Sequence, residues 1–423
     1  MRALYSLLMW LLQPLLRRKL QRRGRQEPGY LVAIDERFGV YAQRALPDDG
    51  RTVWVHAVSL GETRAAAVVL AALRQQWPQM RLLLTHGTAT GRAEGAGLLR
   101  EGDVQVWQPW DTPAAVRRFL AQFRPRVGIL LETEVWPNLA AECARAGVPL
   151  VLANARLSEK SLRQARRIAW LSEPAYRSLA AVWAQTQDDA ERLAALGAPV
   201  QGVFGNLKFD ATPDAELLAR GRAWRAALAR PVVMFASSRE GEEAELLRCL
   251  RAAGPAAREV QWLIVPRHPQ RFDEVAALLE AQGLSLARRS QWGAQPGLVE
   301  LSADVWLGDT LGEMAQYYGM SDAALLGGSF APLGGQNLIE AAACGCPVLM
   351  GPHTFNFDEA AGLALQAGAA MRCADLAQAV DAALALVQDP ARQQTMARAA
   401  GEFSQAHRGA AVRTRNALAT YLG

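Results

Sequence analysis

Twelve short apolar runs, separated by longer helical stretches, constrain the fold of this chain more than any other feature. The runs are rich in Val, Ile and Leu without strict polar alternation, which is typical of strands buried on both faces. Ala- and Leu-rich stretches such as residues 63–77 lie between them. Repeated strand–helix units predict parallel sheets, and twelve strands suit two sheets better than one. The runs cover residues 52–59, 81–87, 104–109, 127–133, 148–154, 181–186, 200–206, 231–237, 261–267, 304–309, 323–329 and 347–352.

The chain is long enough for two large domains, since it has 423 residues. A polar segment with a proline, residues 209–216, separates the two series of runs and predicts a linker. We therefore predict an α/β fold with two doubly wound, Rossmann-like domains, residues 26–208 and 217–388, whose parallel sheets face a central cleft. Residues 389–423 are predicted to be helical, and a return of this segment to the first domain is left open.

The N-terminal segment, residues 1–25, contains seven Arg and Lys residues and no acidic residue, which leaves the rest of the chain near neutral. Its apolar part, residues 3–16, would form a helix of about 21 Å, short of the roughly 30 Å hydrocarbon core of a bilayer. We predict a membrane anchor that dips into one leaflet, with its basic end on the cytoplasmic side. The alternative is a helix that packs on the body of the protein.

Several classes of protein are excluded by motifs that the chain lacks. The pI of 9.1 does not indicate a nucleic-acid binder, because the basic excess lies in one short segment. The five cysteines form no C-x-x-C, and the histidines form no H-E-x-x-H. The chain also has no P-loop, no G-x-G-x-x-G and no D-x-D clamp. We predict no nucleic-acid partner, no cofactor and no metal in the site.

Polar loops follow the apolar runs, at the edge of a parallel sheet where ligands bind. In the first half, Ser59, Gly61 and Glu62 follow the first run, and Glu132 ends the fourth. A carboxylate at the end of a strand is well placed to act as a base. Lys208 lies at the domain boundary and is predicted to meet a substrate carboxylate.

The segment 325–352 is the most informative part of the second half. Asn337 and Glu340 have the spacing of a capping box, which is a purely structural explanation. That spacing does not explain Gly334 and Gly335 just before the cap. Glycines allow a ligand to approach the backbone, and the amino end of a helix binds anions. We predict a phosphate site here, with Glu340 placed near ribose hydroxyls.

Two further loops carry residues for which a structural role and a binding role are both open. Arg267 and His268 follow the ninth run, and Asp309 follows the tenth. His268 is equally well explained as a packed residue, and Asp309 as a helix cap. Glu36 stands beside an arginine before the first sheet, where a solvated ion pair is the ordinary explanation.

Eight motifs together resemble one family, the 3-deoxy-D-manno-octulosonic acid (Kdo) transferases of lipopolysaccharide synthesis. They occur in the family's order and extend from the N-terminal segment to about residue 360. Three places depart from the family pattern, at Arg239, at Gln336 and in residues 85–91. The motifs read ERFG, SLGE, ETEVWPNL, NARLS, GNLKFD, VPRHPQRF, GDTLGE and GGQNLIEAA followed by PVLMGPHTFNF.

The resemblance implies a GT-B fold and an inverting transfer of Kdo from CMP-β-Kdo to a lipid A precursor, lipid IVA, without a metal. It implies a location at the cytoplasmic face of the bacterial inner membrane. It makes Glu36 the general base and keeps Ser59, Gly61, Glu62 and Glu132 as acceptor-side residues. Two alternatives stay open: another GT-B enzyme that uses UDP-sugars, and an adaptor that lost its chemistry. The donor-binding residues that the resemblance implies are Lys208, Arg239, Pro266, Arg267, His268, Gly308, Asp309, Gly312, Gly334, Gly335, Asn337 and Glu340.

Overall fold

The computed structural model describes residues 2–293 and 295–423, which form two compact units. The first unit comprises the chain up to Asp210 together with Arg408–Gly423, and the second comprises Ala211–His407. The division thus falls inside the segment that was predicted as a linker, and the last helix belongs to the first unit. The Asp210 carboxylate fixes that helix by accepting hydrogen bonds from the backbone N–H groups of Gly409 and Ala411 at its amino end.

The first unit contains a seven-stranded parallel sheet with the strand order β3-β2-β1-β4-β5-β6-β7. The order reverses direction between β1 and β4, and in sheets of this type ligands bind at such a switch point. The strands are β1 (Thr52–His56), β2 (Arg81–His86), β3 (Val104–Trp107), β4 (Val127–Leu131), β5 (Leu150–Ala155), β6 (Ala181–Ala184) and β7 (Val200–Val203).

Helices cover both faces of this sheet, and the central strands are buried throughout. The helices are α1 (Arg2–Leu11), α2 (Gln13–Gly24), α3 (Leu60–Gln76), α4 (Ala89–Ala96), α5 (Pro113–Phe123), α6 (Pro137–Ala146), α7 (Glu159–Arg167), α8 (Ala169–Arg177), α9 (Gln187–Ala194) and, from the end of the chain, α20 (Ala410–Leu422). Three 3-10 segments (Pro28–Leu31, Ile34–Phe38 and Leu207–Asp210) complete the unit.

The second unit also contains a seven-stranded parallel sheet, with the order β10-β11-β9-β8-β12-β13-β14. Its order reverses at β8, which lies between β9 and β12. The strands are β8 (Val232–Ser238), β9 (Gln261–Pro266), β10 (Leu286–Arg288), β11 (Val305–Leu307), β12 (Ala323–Leu326), β13 (Val348–Met350) and β14 (Ala370–Arg372).

The helices of the second unit connect these strands and include the long helix that precedes the return of the chain. They are α10 (Ala215–Ala226), α11 (Glu242–Ala253), α12 (Pro255–Arg258), α13 (Phe272–Ala281), α14 (Leu298–Ser302), α15 (Met314–Gly319), α16 (Leu338–Ala343), α17 (Asp358–Gln366), α18 (Leu376–Val387) and α19 (Pro390–Ala406). Two further 3-10 segments are Pro269–Arg271 and Arg289–Gln291.

All twelve apolar runs form strands, which confirms the prediction of two parallel sheets. Two strands were missed, β10 and β14, which have three residues each and lie at the two edges of the second sheet. An edge strand is covered less completely than a central one, so its residues need not be apolar. Only one of the three residues in each of these strands is fully buried, and the apolar signal is correspondingly weak.

The N-terminal segment forms two short helices, and Met1 of the predicted anchor lies outside the described residues. Within the described chain, no helix has both the length and the apolar character needed to cross a bilayer. Two side chains of α1 contact the body of the first unit. The Tyr5 hydroxyl donates to the Asp111 carboxylate at 2.9 Å, and the Ser6 hydroxyl donates to the Asn138 side chain at 2.9 Å.

Candidate active site

Glu36 lies in the 3-10 segment Ile34–Phe38, which the first unit holds at the end of strand β3. The segment begins after Ala33, whose φ of 48° is unusual for a residue with a side chain. The backbone N–H of Trp110 donates to the Arg37 carbonyl at 2.7 Å. The Arg118 guanidinium donates to the Phe38 carbonyl at 2.6 Å. These long-range contacts keep a short, strained segment in one place.

Three hydrogen bonds orient the Glu36 carboxylate, which is buried with 3% of the residue exposed. Oε1 accepts from the Gln43 side-chain amide at 2.8 Å. Oε2 accepts from the Arg92 guanidinium at 2.8 Å and from the Trp107 backbone N–H at 2.9 Å. A carboxylate offers about four acceptor positions. One of these bonds engages Oε1 and two engage Oε2, which leaves one acceptor position on Oε1.

Arg37, the next residue, is equally buried but differently partnered. It is 6% exposed, and one nitrogen of its guanidinium donates to the Gly87 carbonyl at 2.9 Å. The guanidinium lies 3.9 Å from the centroid of the Trp107 ring. Burial, opposed in part by nearby Tyr30, lowers the pKa of Arg37 to about 10. The sequence analysis named Glu36 in this motif but overlooked Arg37.

The acceptor-side residues Ser59 and Glu62 form a capping box at the amino end of α3. The Ser59 hydroxyl caps the helix and donates to Glu62 Oε1 at 2.9 Å, while Glu62 Oε2 accepts from the Val58 N–H at 2.8 Å. Burial, together with the charge of Glu132, raises the pKa of Glu62 to about 7. A side chain at Gly61 would meet only the Ser59 hydroxyl, at 3.9 Å, so this position is open.

Glu132 directly follows strand β4 and has a φ of 61°, which is strained for a glutamate. Its carboxylate pairs with Arg156 at 3.1 Å and with the Lys208 ammonium at 3.5 Å. The structure therefore brings together two residues that were predicted for different substrates, Glu132 on the acceptor side and Lys208 on the donor side. Both belong to the first unit.

In the second unit, two consecutive glutamates at the start of α11 tie together the loops after β8, β9 and β12. Glu242 accepts from the backbone N–H of Gly328 at 2.8 Å and from that of Arg239 at 2.9 Å. Glu243 pairs with the Arg271 guanidinium at 2.8 and 3.0 Å. The sequence analysis identified the loop but neither glutamate, although two acids in the first turn of a helix after a strand were a visible signal.

Arg239, Arg267 and His268 form the basic part of this edge. Burial and the charges of Arg239 and Arg267 lower the pKa of His268, which favours its neutral form. Pro266 is the last residue of β9 and is buried. The backbone N–H of Arg267 donates to the Ser238 carbonyl at 3.0 Å, which joins the loop after β9 to the end of β8.

The loop after β11 is held by the end of β10 and the 3-10 segment that follows it. The Asp309 carboxylate accepts from the Arg288 side chain at 2.7 Å and from the backbone and hydroxyl of Ser290 at 2.8 and 2.7 Å. Burial by itself would raise the pKa of Asp309, but the hydrogen bonds from Ser290 and Arg288 lower it. A side chain at Gly308 would clash with Val265 at 2.7 Å, whereas Gly312 is open. The two predicted glycines of this loop therefore differ, since there is open space beside Gly312 and none beside Gly308.

The glycine loop after β12 has the predicted cap and the predicted short helix. Gly334 and Gly335 have φ values of 90° and 73°, which favour glycine at both positions. The Asn337 side chain caps α16 by accepting from the Ile339 N–H at 3.2 Å. Glu340 lies in the first turn of this six-residue helix and is half-buried.

The described side chains were compared with the ligand sets that metal ions need. Across residues 2–293 and 295–423, no three His, Cys, Asp or Glu side chains cluster in a way that would hold a metal ion.

Comparison with known proteins identifies the family. Residues 33–211 match the domain family described as 3-deoxy-D-manno-octulosonic-acid transferase (kdotransferase). The chain is 49% identical to a 3-deoxy-D-manno-octulosonic acid transferase of Bordetella pertussis, with the whole of both chains covered. It is 31% identical to the enzyme of that name from Haemophilus influenzae, covering 100% of this chain and 99% of the other.

The fold has solved counterparts at much lower identity. The crystal structure of Anabaena HepE in complex with UDP aligns with a TM-score of 0.57 at 14% identity, covering 88% of this chain and 99% of that one. This likeness concerns the fold alone, which is GT-B with seven parallel strands in each α/β unit. Full-length similarity to two enzymes of one kind is the stronger finding: this chain belongs to the Kdo transferases, the glycosyltransferases that add Kdo in lipopolysaccharide synthesis.

Proposed function

We propose that this protein transfers Kdo from CMP-β-Kdo to the lipid A precursor lipid IVA, with inversion at the anomeric carbon and Glu36 as general base. The observation that carries the proposal is the Glu36 carboxylate, which is fixed by three donors and retains one acceptor position on Oε1. A base needs this combination of fixed orientation and a vacant lone pair.

In the proposed reaction, an acceptor hydroxyl gives its proton to Glu36 Oε1 as its oxygen attacks the anomeric carbon of Kdo. The bond between that carbon and the phosphate oxygen of CMP breaks, and CMP leaves with the bonding electrons. Attack from the face opposite the leaving group inverts the configuration. A positioned base contributes about 10²- to 10⁴-fold to such a step.

On the donor side, we assign the CMP phosphate to the basic edge of the second unit. Arg239 and Arg267 supply positive charge there, and both repel a proton from His268. Charge-assisted hydrogen bonds of this kind stabilise the charge that develops on a leaving phosphate. This arrangement needs no metal, which is part of the proposal. Asn337 and Glu340 are assigned to the nucleoside.

Lys208 is the proposed partner of the Kdo carboxylate, although it already pairs with Glu132 at 3.5 Å. Binding a substrate carboxylate would exchange one anionic partner for another. Glu132 also pairs with Arg156, so its charge would stay compensated after the exchange.

We further propose that the enzyme acts at the cytoplasmic face of the bacterial inner membrane. The leucines of α1 are exposed on the surface of the protein, with exposed fractions of 64% for Leu4, 52% for Leu8 and 57% for Leu11. No residue of α1 is buried, and the basic residues of α2 follow directly. Exposed apolar side chains next to basic ones are typical of helices that lie in the membrane interface.

The proposal is tested by a transfer assay with the purified full chain, CMP-Kdo and tetraacylated lipid A precursor, read by product mass. Mass increments of Kdo on the lipid are expected, and their number gives the count of residues added. Parallel reactions with UDP-sugars serve as controls. Transfer from a UDP-sugar without transfer from CMP-Kdo would contradict the proposed donor.

The role of Glu36 is tested by Glu36→Gln, which keeps the size of the side chain and removes its basicity. We expect kcat to fall by about 10²- to 10⁴-fold. The matched control is Asp35→Asn, because the Asp35 side chain is 59% exposed and pairs with Arg17 at the surface. The assignment of the base is wrong if both variants keep near-normal turnover.

A further inference from the structure

Among the residues that the structure describes, the Arg37 guanidinium is a buried positive charge without a carboxylate partner. Arg37 is 6% exposed, and its Nε is fully buried with no hydrogen-bond partner in the described chain. Among the described residues, no Asp or Glu oxygen lies within ion-pair distance of it. Buried charges in proteins are normally paired, because removing a charge from water is costly.

The neighbouring arginines differ from Arg37 in this respect. Arg92 lies over the same Trp107 ring, at 4.8 Å from its centroid, and pairs with Glu36 at 2.8 Å. Arg23 lies over Tyr30, which stacks on Trp107, and is 4.0 Å from Glu27. Three guanidinium groups therefore lie over the stacked rings of Tyr30 and Trp107. Of these three, only Arg37 has no carboxylate partner in the described chain.

Two other arginines, Arg92 and Arg23, place positive charge near Arg37. The Arg37 guanidinium donates a hydrogen bond to the Gly87 carbonyl, at the turn that leads into α4. The amino end of α4 carries the partial positive charge of the helix dipole, and Arg92 belongs to the same helix. Glu36 is the nearby counter-charge, and its carboxylate is already engaged by Arg92.

From these contacts we propose that Arg37 binds a substrate oxyanion next to the hydroxyl that Glu36 deprotonates. The inference deepens the proposed function and rests on it for the identity of the substrates. Planar guanidinium groups bind phosphates and carboxylates with paired hydrogen bonds. Two sources offer that chemistry: a phosphate of the lipid acceptor and the carboxylate of Kdo.

The first test measures anion binding without activity, by thermal melting of the full chain with inorganic phosphate. Saturating CMP is present throughout, so that the donor side is already occupied. Phosphate is expected to raise the melting temperature of the wild type more than chloride at equal ionic strength. It is expected to have no such effect on Arg37→Met, because the anion's partner is gone.

Arg81→Met is the matched control, since Arg81 pairs with the Asp49 carboxylate at 3.1 Å and lies at the amino end of β2. This variant is expected to keep the phosphate effect and to melt below the wild type. Arg37→Met is expected to melt at or above the wild type without anions, because it removes an uncompensated charge. Equal phosphate effects in wild type and Arg37→Met would overturn the proposal, whether or not Kdo is transferred.

The second test identifies the source of the anion by kinetics with phosphorylated and dephosphorylated acceptors. Loss of a charge-assisted contact is expected to raise a KM by about 10- to 150-fold. If the acceptor supplies the anion, Arg37→Met raises the KM only for the phosphorylated acceptor. If Kdo supplies it, the KM for CMP-Kdo rises with both acceptors.

Arg37→Lys keeps the charge but loses the planar fork, and it replaces Arg37→Met if that variant does not fold. It is expected to raise the same KM by a smaller factor. Unchanged KM values for both substrates in a folded variant would contradict the proposal. Absence of Kdo transfer by the wild type would instead contradict the proposed function, and the phosphate test would still decide the role of Arg37.

Discussion

At the scale of single residues, ionisable groups at the edge of the first sheet have opposite environments. Glu36 accepts hydrogen bonds from a guanidinium, an amide and a backbone N–H, all of which suit the ionised carboxylate. Glu62 is half-buried, and burial is the main cause that raises its pKa to about 7. The two glutamates of this unit therefore differ in what dominates their surroundings, which is hydrogen-bond donors for Glu36 and burial for Glu62.

The raised pKa of Glu62 predicts how stability depends on pH. A carboxylic acid with a higher pKa in the folded state holds its proton more tightly there, so stability falls as pH rises from about 4.5 to above 7. The pKa of about 7 corresponds to a loss of about 3 kcal/mol from this group. Glu62→Gln keeps an acceptor for the Val58 N–H and is expected to remove that loss.

Denaturant unfolding at pH 5 and pH 8 checks this prediction. The variant and the wild type are expected to be close in stability at pH 5, and the variant is expected to be more stable at pH 8. An unchanged difference between the two proteins at both pH values would contradict the pKa assigned to Glu62.

At the scale of elements, the second unit shows how one helix organises several loops. The first turn of α11 holds the loop after β12 through Glu242 and the loop after β9 through Glu243 and Arg271. Both strands flank β8, at the point where the strand order reverses. The residues assigned to CMP-Kdo therefore depend on two glutamates that need not touch the substrate themselves.

We expect Glu242→Gln to weaken donor binding by displacing the loop after β12. Oε2 accepts from the N–H groups of Gly328 and Arg239, and Oε1 also accepts from Gly328. An amide has a single oxygen, so its NH2 group would replace one of the two acceptors and face the Gly328 N–H as a second donor. The cost is about 1–3 kcal/mol of stability for a buried donor left without a partner, together with a higher KM for CMP-Kdo.

The matched control is Glu245→Gln, in the same helix, because the Glu245 side chain is 45% exposed and pairs with Arg248. Thermal melting and steady-state kinetics of both variants check the prediction. Equal effects of the two substitutions would show that Glu242 does not hold the donor loops.

At the scale of the whole molecule, the N-terminal helices give the first unit an apolar and basic surface. The described chain contains no helix that would cross a bilayer. Tyr5 and Ser6 attach α1 to the body, while Leu4, Leu8 and Leu11 stay exposed. We expect these exposed leucines to attach the protein to the surface of a bilayer.

Replacing Leu4, Leu8 and Leu11 together with Ser is expected to reduce binding to anionic lipid vesicles at least tenfold, since each leucine would otherwise gain about 1.5 kcal/mol or more on burial. Sedimentation of the full chain with the vesicles measures this. Replacing Leu298 and Val299, which are 86% and 77% exposed in the second unit, with Ser is the control and is expected to change nothing. Equal binding of both variants would contradict the proposed surface.

The sequence by itself determined twelve of the strands, both sheets and the capping residue Asn337, because each depends on neighbours within a few positions. The short edge strands β10 and β14 were not predicted, because only one residue of each is fully buried. Tertiary structure alone decided what surrounds Glu36, because Arg92 and Trp107 are 56 and 71 residues away in sequence. It also showed that Arg37 has no carboxylate partner in the described chain and that Asp210 fixes the last helix to the first unit. Burial and pairing are properties of long-range contacts, and no local pattern encodes them.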